Sequence, residues 1–168
     1  MGKRQPEDTD ETEAFTLLAA RLAACGLAYR IHEHEPARTL ADARERLSFD
    51  VTRIVKTVAF GLRSGGLILA ALRAVNRADY ARLAALAGVN RRDLAALSPE
   101  AVSARLGVEP GGVSPLSPAG EALRFVDEDV LGIAPTLYCG LGRPDRTLEI
   151  APRDLLALTG ARTGRFSR

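Results

Sequence analysis

Two apolar runs, Arg53 to Leu62 and Leu67 to Val75, stand on either side of Ser64-Gly65-Gly66. Each has the length of a strand, and the glycine pair supplies the dihedrals of a tight hairpin turn. In the first run the residues alternate between two sides, and both sides are apolar, so the strand expects cover on both faces. The chain therefore builds a sheet, at least partly antiparallel, with other elements packed against it. One charge interrupts the pattern. Lys56 shares its side with Ile54, Val58 and Phe60.

The flanking segments supply the cover. A helix is expected from near Asp10, with Phe15, Leu18, Leu22 and Cys25 on one face and Gly26 as its stop. An extended segment, Ala28 to His34, precedes a helix that Thr39 and Asp42 open as a capping box and that runs through Leu47. Asn76 and Asp79 open a third helix that Gly88 stops, and Ser98-Pro99-Glu100 opens a fourth that Gly107 stops. Arg92 to Leu97 reads as a short strand between them. Three glycines with Pro115 and Pro118 forbid helix and strand over Gly111 to Gly120, which must be a structured loop. Strands Leu123 to Val126, Thr136 to Cys139 and Thr147 to Ile150 follow, then a helix from Pro152 to Thr159. This order describes one α+β domain on a mixed sheet. It spans residues 11–160, between a disordered tail over 1–10 and a basic tail over 161–168.

Composition removes several classes of function. With 168 residues, 46% hydrophobic and 26% charged, the chain is one domain's worth and neither disordered nor membrane-like. Its longest uncharged stretch, Val130 to Gly142, falls short of the roughly 20 apolar residues of a bilayer crossing. No apolar segment follows Lys3 and Arg4 as in a secretory signal, so a cytoplasmic location is expected. Cys25 and Cys139 lack metal or redox spacing and read as reduced, packed thiols. The 23 basic and 21 acidic residues nearly cancel. A non-specific nucleic-acid coat is thereby disfavoured, and no DNA partner is expected. Aromatic residues at 5%, with no Trp, argue against a general single-strand binder. Only two of the basic residues are lysines, which makes Lys56 conspicuous.

Lys56 has two readings: a side chain that carries its ammonium to solvent along an apolar stem, or an ammonium at a cleft whose reduced solvation strengthens its hold on an oxyanion. The loop Gly111-Gly112-Val113-Ser114-Pro115 is either a plain turn or a backbone that approaches a ligand and presents N–H groups. Gly112-x-Ser114 is not a hydrolase elbow. Leu116 replaces its closing glycine, and Pro115 lacks the N–H an oxyanion hole would use. His32 and His34 share one face of a strand without a third ligand, so no metal site is expected. Arg143, Asp145 and Arg146 form either a solvated turn or a contact to acceptor-stem phosphates. Arg162, Arg165 and Arg168 read as a frayed tail.

Three segments in this order resemble the YbaK/EbsC family, free-standing relatives of the editing domain inserted in bacterial prolyl-tRNA synthetases. They are the strand Arg53-Ile-Val-Lys56-Thr57, the loop Leu106 to Leu116, and Leu137-Tyr-Cys-Gly140-Leu-Gly142 running on to Thr147-Leu-Glu149-Ile150. Glu33-His34-Glu35-Pro36 is also similar. The resemblance implies a barrel-like mixed sheet surrounded by helices and a trans-editing aminoacyl-tRNA deacylase. It maps the family's lysine onto Lys56 and its G-x-x-x-P loop onto Gly111 to Pro115. On that mapping Lys56, Gly111, Gly112 and Ser114 are the catalytic set. Thr57, His34, Val113, Pro115, Gly140, Gly142 and Thr147 bind substrate, and Arg143 and Arg146 bind tRNA.

The same resemblance implies no cofactor, help from the 2′-hydroxyl of the terminal adenosine, and an aminoacylated tRNA end as partner. Prolyl-tRNA synthetase and an elongation factor are the candidate protein partners. Cysteine-directed members resemble Tyr-Val-Ser-Gly-Gly where this chain has Tyr138-Cys139-Gly140-Leu141-Gly142, and have Asp at the position of Thr147. The departures point to tRNA-Pro carrying alanine, serine, threonine or 2-aminobutyrate. Gly111 to Pro115 is expected to form one wall of the amino-acid pocket and Cys139 to Gly142 the opposite one. The competing reading is a non-catalytic tRNA-end or nucleotide-binding module of the same fold.

Overall fold

The computed structural model describes residues 6–109 and 111–168. Five helices and eight strands are present among them, in the order α1 (Pro6–Ala23), β1 (Tyr29–Glu33), α2 (Leu40–Arg46), β2 (Ile54–Leu62), β3 (Leu67–Arg73), α3 (Tyr80–Ala87), β4 (Leu94–Ala96), α4 (Pro99–Leu106), β5 (Leu123–Asp127), β6 (Leu137–Gly140), β7 (Arg146–Ile150), α5 (Pro152–Thr159) and β8 (Arg162–Gly164). The strands form one mixed sheet in the order β1-β7-β6-β2-β3-β5-β8, with β4 beside β2. The path is open, so among the described residues the expected barrel-like sheet is a mixed sheet that does not close on itself.

The β2–β3 hairpin is the centre of this sheet, with Val55↔Arg73 through Gly61↔Leu67 in antiparallel register. The turn closes where the Leu62 N–H donates to the Gly66 carbonyl at 2.8 Å. In β3 the alternation resolves into two buried faces. Ile68, Ala70 and Leu72 pack with Phe60, Leu83 of α3 and Phe125. Leu69 joins Ala59, Val102 and Leu106 on the α4 side, while Ala71 and Val55 meet Leu18 and Leu22 of α1 and Leu155 of α5. A strand buried on both faces reads as a continuous apolar run, as this one does from Leu67 to Leu72 before it ends at Arg73.

Helix boundaries follow local chemistry. Thr39, Asp79 and Ser98 each accept an N–H of the first turn with their side chain, and Gly88, Gly107 and Gly160 close their helices in the left-handed conformation. Two expectations at the ends of the chain are corrected. Helix α1 starts at Pro6 rather than near Asp10, so only residues 1–5 of the expected tail lie outside the described residues. The segment read as a frayed basic tail is tied down. β8 pairs in parallel with β5, Phe166 is buried, and the buried Asp127 carboxylate accepts the N–H groups of Phe166 and Ser167 at 2.7 and 2.8 Å.

Candidate active site

The sheet forks at β2. Strand β6 runs parallel to it only at Ile54↔Tyr138 and Val55↔Cys139, and β4 pairs only with Phe60 to Leu62. Between these contacts the edge of β2 at Lys56-Thr57-Val58 has no strand beside it among the described residues. A cavity of about 390 Å³ opens there. Alternation sends the Lys56 and Thr57 side chains to opposite sides of the strand, and both line the cavity because the edge between them is free.

The glycine loop and the end of β6 meet along one side of this cavity. Gly111, Val113 and Gly140 line it. A methyl group on Gly140 would lie 2.5 Å from the Val113 carbonyl oxygen, and one on Gly111, whose φ is +90°, would lie 2.6 Å from the Arg38 Cα. Only glycine permits such close backbone approach. The Gly142 N–H donates to the Gly112 carbonyl at 2.8 Å, fixing the two segments to each other. The expected opposite walls are thus a single wall. Leu40, Ala43, Leu47 and Phe49 from α2 and its exit also line the cavity.

The Lys56 ammonium is half-buried and donates to the Asn76 carbonyl at 2.5 Å. Burial, together with the nearby Arg77 guanidinium, holds its pKa below the ordinary 10.5. Beside it, the Thr57 hydroxyl oxygen is buried without a hydrogen-bond partner among the described residues. A buried hydroxyl is costly to leave unpaired, which makes this position a natural seat for a ligand's polar atom. Cys139 also lines the cavity, but burial pushes its thiol up to about 12. It is not a nucleophile at neutral pH.

His34 is held at the rim by two contacts. Its Nδ1 lies 2.7 Å from the Glu35 carbonyl, which can only accept, so in the neutral ring Nδ1 carries the proton. Nε2 is then the acceptor for the Thr147 hydroxyl at 2.7 Å. The lone pair a general base would use is occupied.

Residues 34–158 match the aminoacyl-tRNA editing domain family. The chain belongs to that family. No curated protein matches it. Among solved structures, the hypothetical protein APE2540 is 28% identical, with a TM-score of 0.79 over 94% of this chain and 99% of that one. A candidate trans-editing enzyme for prolyl-tRNA synthetase is also 28% identical, with a TM-score of 0.75 over 99% of both chains. A signal transduction protein assignment from Marinobacter aquaeolei VT8, 17% identical with a TM-score of 0.66, shares the fold over 30% of its own length. The YbaK-like resemblance of the sequence is therefore correct.

The editing domain brings together Lys56, Thr57, His34, Gly111, Val113, Gly140, Arg146 and Thr147 around the cavity. It does not bring Ser114, Pro115, Gly112 or Gly142 to the lining. Ser114 is fully buried, its Oγ accepts the Leu116 N–H at 3.1 Å, and its N–H donates to Ser117 Oγ at 2.9 Å. The Pro115 carbonyl accepts from Arg124 at 2.7 Å. These residues shape the loop from behind. Arg143 is forked onto Asp145 at 2.8 and 3.0 Å, while Arg146 contacts Asp145 at 3.1 Å and Glu33 at 3.5 Å.

Two rings at this site were not anticipated. Phe49 and Tyr138 stack with centroids 4.2 Å apart and planes 9° from parallel, and Arg53 covers Tyr138 at 4.7 Å. Glu149 accepts from Thr136 at 2.6 Å and from His32 at 2.7 Å, hydrogen bonds that hold its pKa below the usual 4.5. This cluster braces the α2 side of the cavity against β6 and β7. Tyr138 lies in the Leu137 to Gly142 segment that resembles the family, but nothing in the sequence sets Phe49 opposite it.

Proposed function

We propose that this editing domain is an aminoacyl-tRNA deacylase that acts in trans on mischarged tRNA. The observation that carries this reading is the cavity at the fork of β2, where the partly desolvated Lys56 ammonium and the unpartnered Thr57 hydroxyl flank a backbone wall of glycines. Ligand pockets range from roughly 300 to 1,000 Å³, so this cavity suits a small aminoacyl group with its sugar.

The chemistry asked of the protein is modest because the ester is already activated. Water adds to the ester carbonyl, the tetrahedral intermediate collapses, and the bond to the 3′-oxygen breaks to release a free amino acid and a tRNA with its 3′-hydroxyl restored. Lys56 would stabilise the developing oxyanion where low solvation strengthens its charge. With Cys139 protonated and the Nε2 of His34 engaged, the attacking water is best oriented by the 2′-hydroxyl of the terminal adenosine.

The likeness to a trans-editing enzyme for prolyl-tRNA synthetase supports tRNA-Pro as the substrate. A synthetase cannot reject slightly smaller residues by binding alone, since a methylene is worth only about 1–3 kcal/mol. Alanine, serine, threonine and 2-aminobutyrate are the aminoacyl groups proposed, and Arg143 and Arg146 remain candidates for contacts to the tRNA. Prolyl-tRNA synthetase and an elongation factor are the partners that would hand over such a substrate. Purified protein tested against a panel of aminoacylated tRNAs should hydrolyse one or more small esters and spare prolyl-tRNA. Hydrolysis of every ester at the spontaneous rate would reduce the protein to a binding module.

A further inference from the structure

A second cavity, of about 550 Å³, lies on the α3 side of β2 and meets the first at Lys56 and Val58. Arg77, Arg91 and Arg168 line it, and Asp79 is its one acidic side chain, while the main-chain oxygen of Arg168 is taken up by the Arg77 N–H at 2.9 Å. The Asp79 carboxylate is engaged, since it accepts the Arg82 N–H at 3.1 Å as the cap of α3 and lies 3.8 Å from the Arg82 guanidinium. The arginines have capacity to spare. Arg77 is exposed, and its guanidinium makes no hydrogen bond or ion pair with a described residue. Arg91 is exposed, rests over the Tyr80 ring at 4.8 Å and spends one N–H on the Leu94 carbonyl at 3.2 Å. Arg77 and Arg168 are held in register by reciprocal backbone hydrogen bonds of 2.9 and 2.8 Å. Arg143 and Arg146, by contrast, already face carboxylates.

We propose that this arginine groove seats the phosphodiester backbone of the single-stranded 3′ end of the tRNA, leading the terminal nucleotide past Lys56 into the first cavity. The inference rests on the deacylase reading for the identity of that RNA end. Arginine forks match phosphate oxygens in pairs, and a groove continuous with the ester-binding cavity places such contacts on the nucleotides before the last. Lys56 stands where the two cavities meet, so one ammonium closes the phosphate track and opens the reaction site. Each phosphate neutralised on a single strand releases counterions and contributes about 0.7 to the slope of log affinity against log salt.

The test measures the affinity of uncharged tRNA across a salt series, which needs no turnover. The Arg77→Ala, Arg91→Ala double variant, with its fold checked by circular dichroism, should bind about tenfold more weakly and lose about 1.4 from the salt slope. The charge-retaining Arg77→Lys, Arg91→Lys variant should keep most of that slope. A tRNA trimmed of its single-stranded 3′ end should bind wild type and the alanine variant alike. An unchanged slope in the alanine variant, or an equal loss with trimmed tRNA, overturns the groove. Competition by inorganic phosphate alone, with no effect of the substitutions on tRNA, makes it a small-anion pocket and overturns it as well. A protein that cleaves no ester but shows the slope change keeps the groove and loses the deacylase reading, and the reverse result does the opposite.

Discussion

The Lys56 ammonium donates to the Asn76 carbonyl across the gap between β2 and the loop that leads into α3. This contact points the charge at the junction of two cavities without neutralising it. A carbonyl dipole steadies an ammonium but leaves its other two N–H donors for a ligand.

Lys56→Ala should therefore nearly abolish deacylation with little change in thermal stability, and Lys56→Arg should also fail because a planar guanidinium does not replace a compact ammonium. Single-turnover hydrolysis rates with circular dichroism melts check both. Wild-type rates in the alanine variant would make Lys56 a solvent-seeking surface residue.

The depressed pKa of Lys56 gives two opposite trends with pH. Activity above the spontaneous rate should decline on the alkaline side, beginning below the 10.5 of an ordinary lysine, because the ammonium is lost there. Between the folded value and 10.5 the unfolded chain binds more protons than the folded one, so this group makes folding stability rise with pH in that window. Urea unfolding at several alkaline pH values should show a shallower rise in Lys56→Met than in wild type.

Gly140 bears on substrate selectivity differently from the sequence expectation. If Gly140 faced an opposite wall, adding a methyl group would re-rank small aminoacyl groups by size. Since that methyl would lie 2.5 Å from the Val113 carbonyl oxygen, Gly140→Ala should instead push the glycine loop off β6 and slow every substrate by a common factor. Gly111→Ala should cost roughly 2–3 kcal/mol, through its left-handed φ and its contact with the Arg38 backbone. Gly88→Ala, with a similar φ and open space around it, should cost about 1 kcal/mol. Urea midpoints separate the two, and a change of substrate ranking in Gly140→Ala would restore the size-sieve role.

What the sequence revealed was local. The hairpin, the caps at Thr39, Asp79 and Ser98 and the span of α5 are written in short-range chemistry, and all are present. Lys56 announced itself as a charge on an apolar face. The fork that makes the cavity was not legible, because it depends on β6 pairing with only two residues of β2, 84 positions away in the Ile54↔Tyr138 register. The stack of Phe49 on Tyr138 is likewise a contact between segments far apart in the sequence. That Gly111 and Gly140 share one wall is equally non-local, since nothing in either segment encodes the Gly142 to Gly112 hydrogen bond.

The engaged Nε2 of His34 leads to a substrate prediction. A tRNA ending in 2′-deoxyadenosine, with the amino acid on the 3′-oxygen, should be cleaved far more slowly than the ribose form, since no described residue lining the cavity presents a free base. Freeing the ring by Thr147→Ala should not restore the rate. Equal rates on both substrates would identify a protein base, with His34 the first to examine.

The last prediction concerns the clasp that closes the fold. Asp127 is fully buried, and its carboxylate takes the N–H groups of Phe166 and Ser167, the Ser167 hydroxyl at 2.9 Å and the Asp129 N–H at 3.0 Å. Four donors converge on two oxygens, and three of them belong to the segment that carries Phe166 into the core beside Leu83 and Phe125. Asp127→Ala would leave those donors without a partner, at roughly 1–3 kcal/mol for each that stays buried. The cheaper outcome for the molecule is to release β8 and expose Phe166. The variant should therefore lose at least about 2 kcal/mol in urea unfolding and become sensitive to proteolysis between Arg162 and Arg165 while the β2–β3 hairpin stays protected from amide exchange. Because Arg168 pairs with Arg77 through this same segment, tRNA affinity should fall with the loss of the clasp. Uniform loss of exchange protection across the whole sheet would show instead that β8 unfolds only with the rest of the domain.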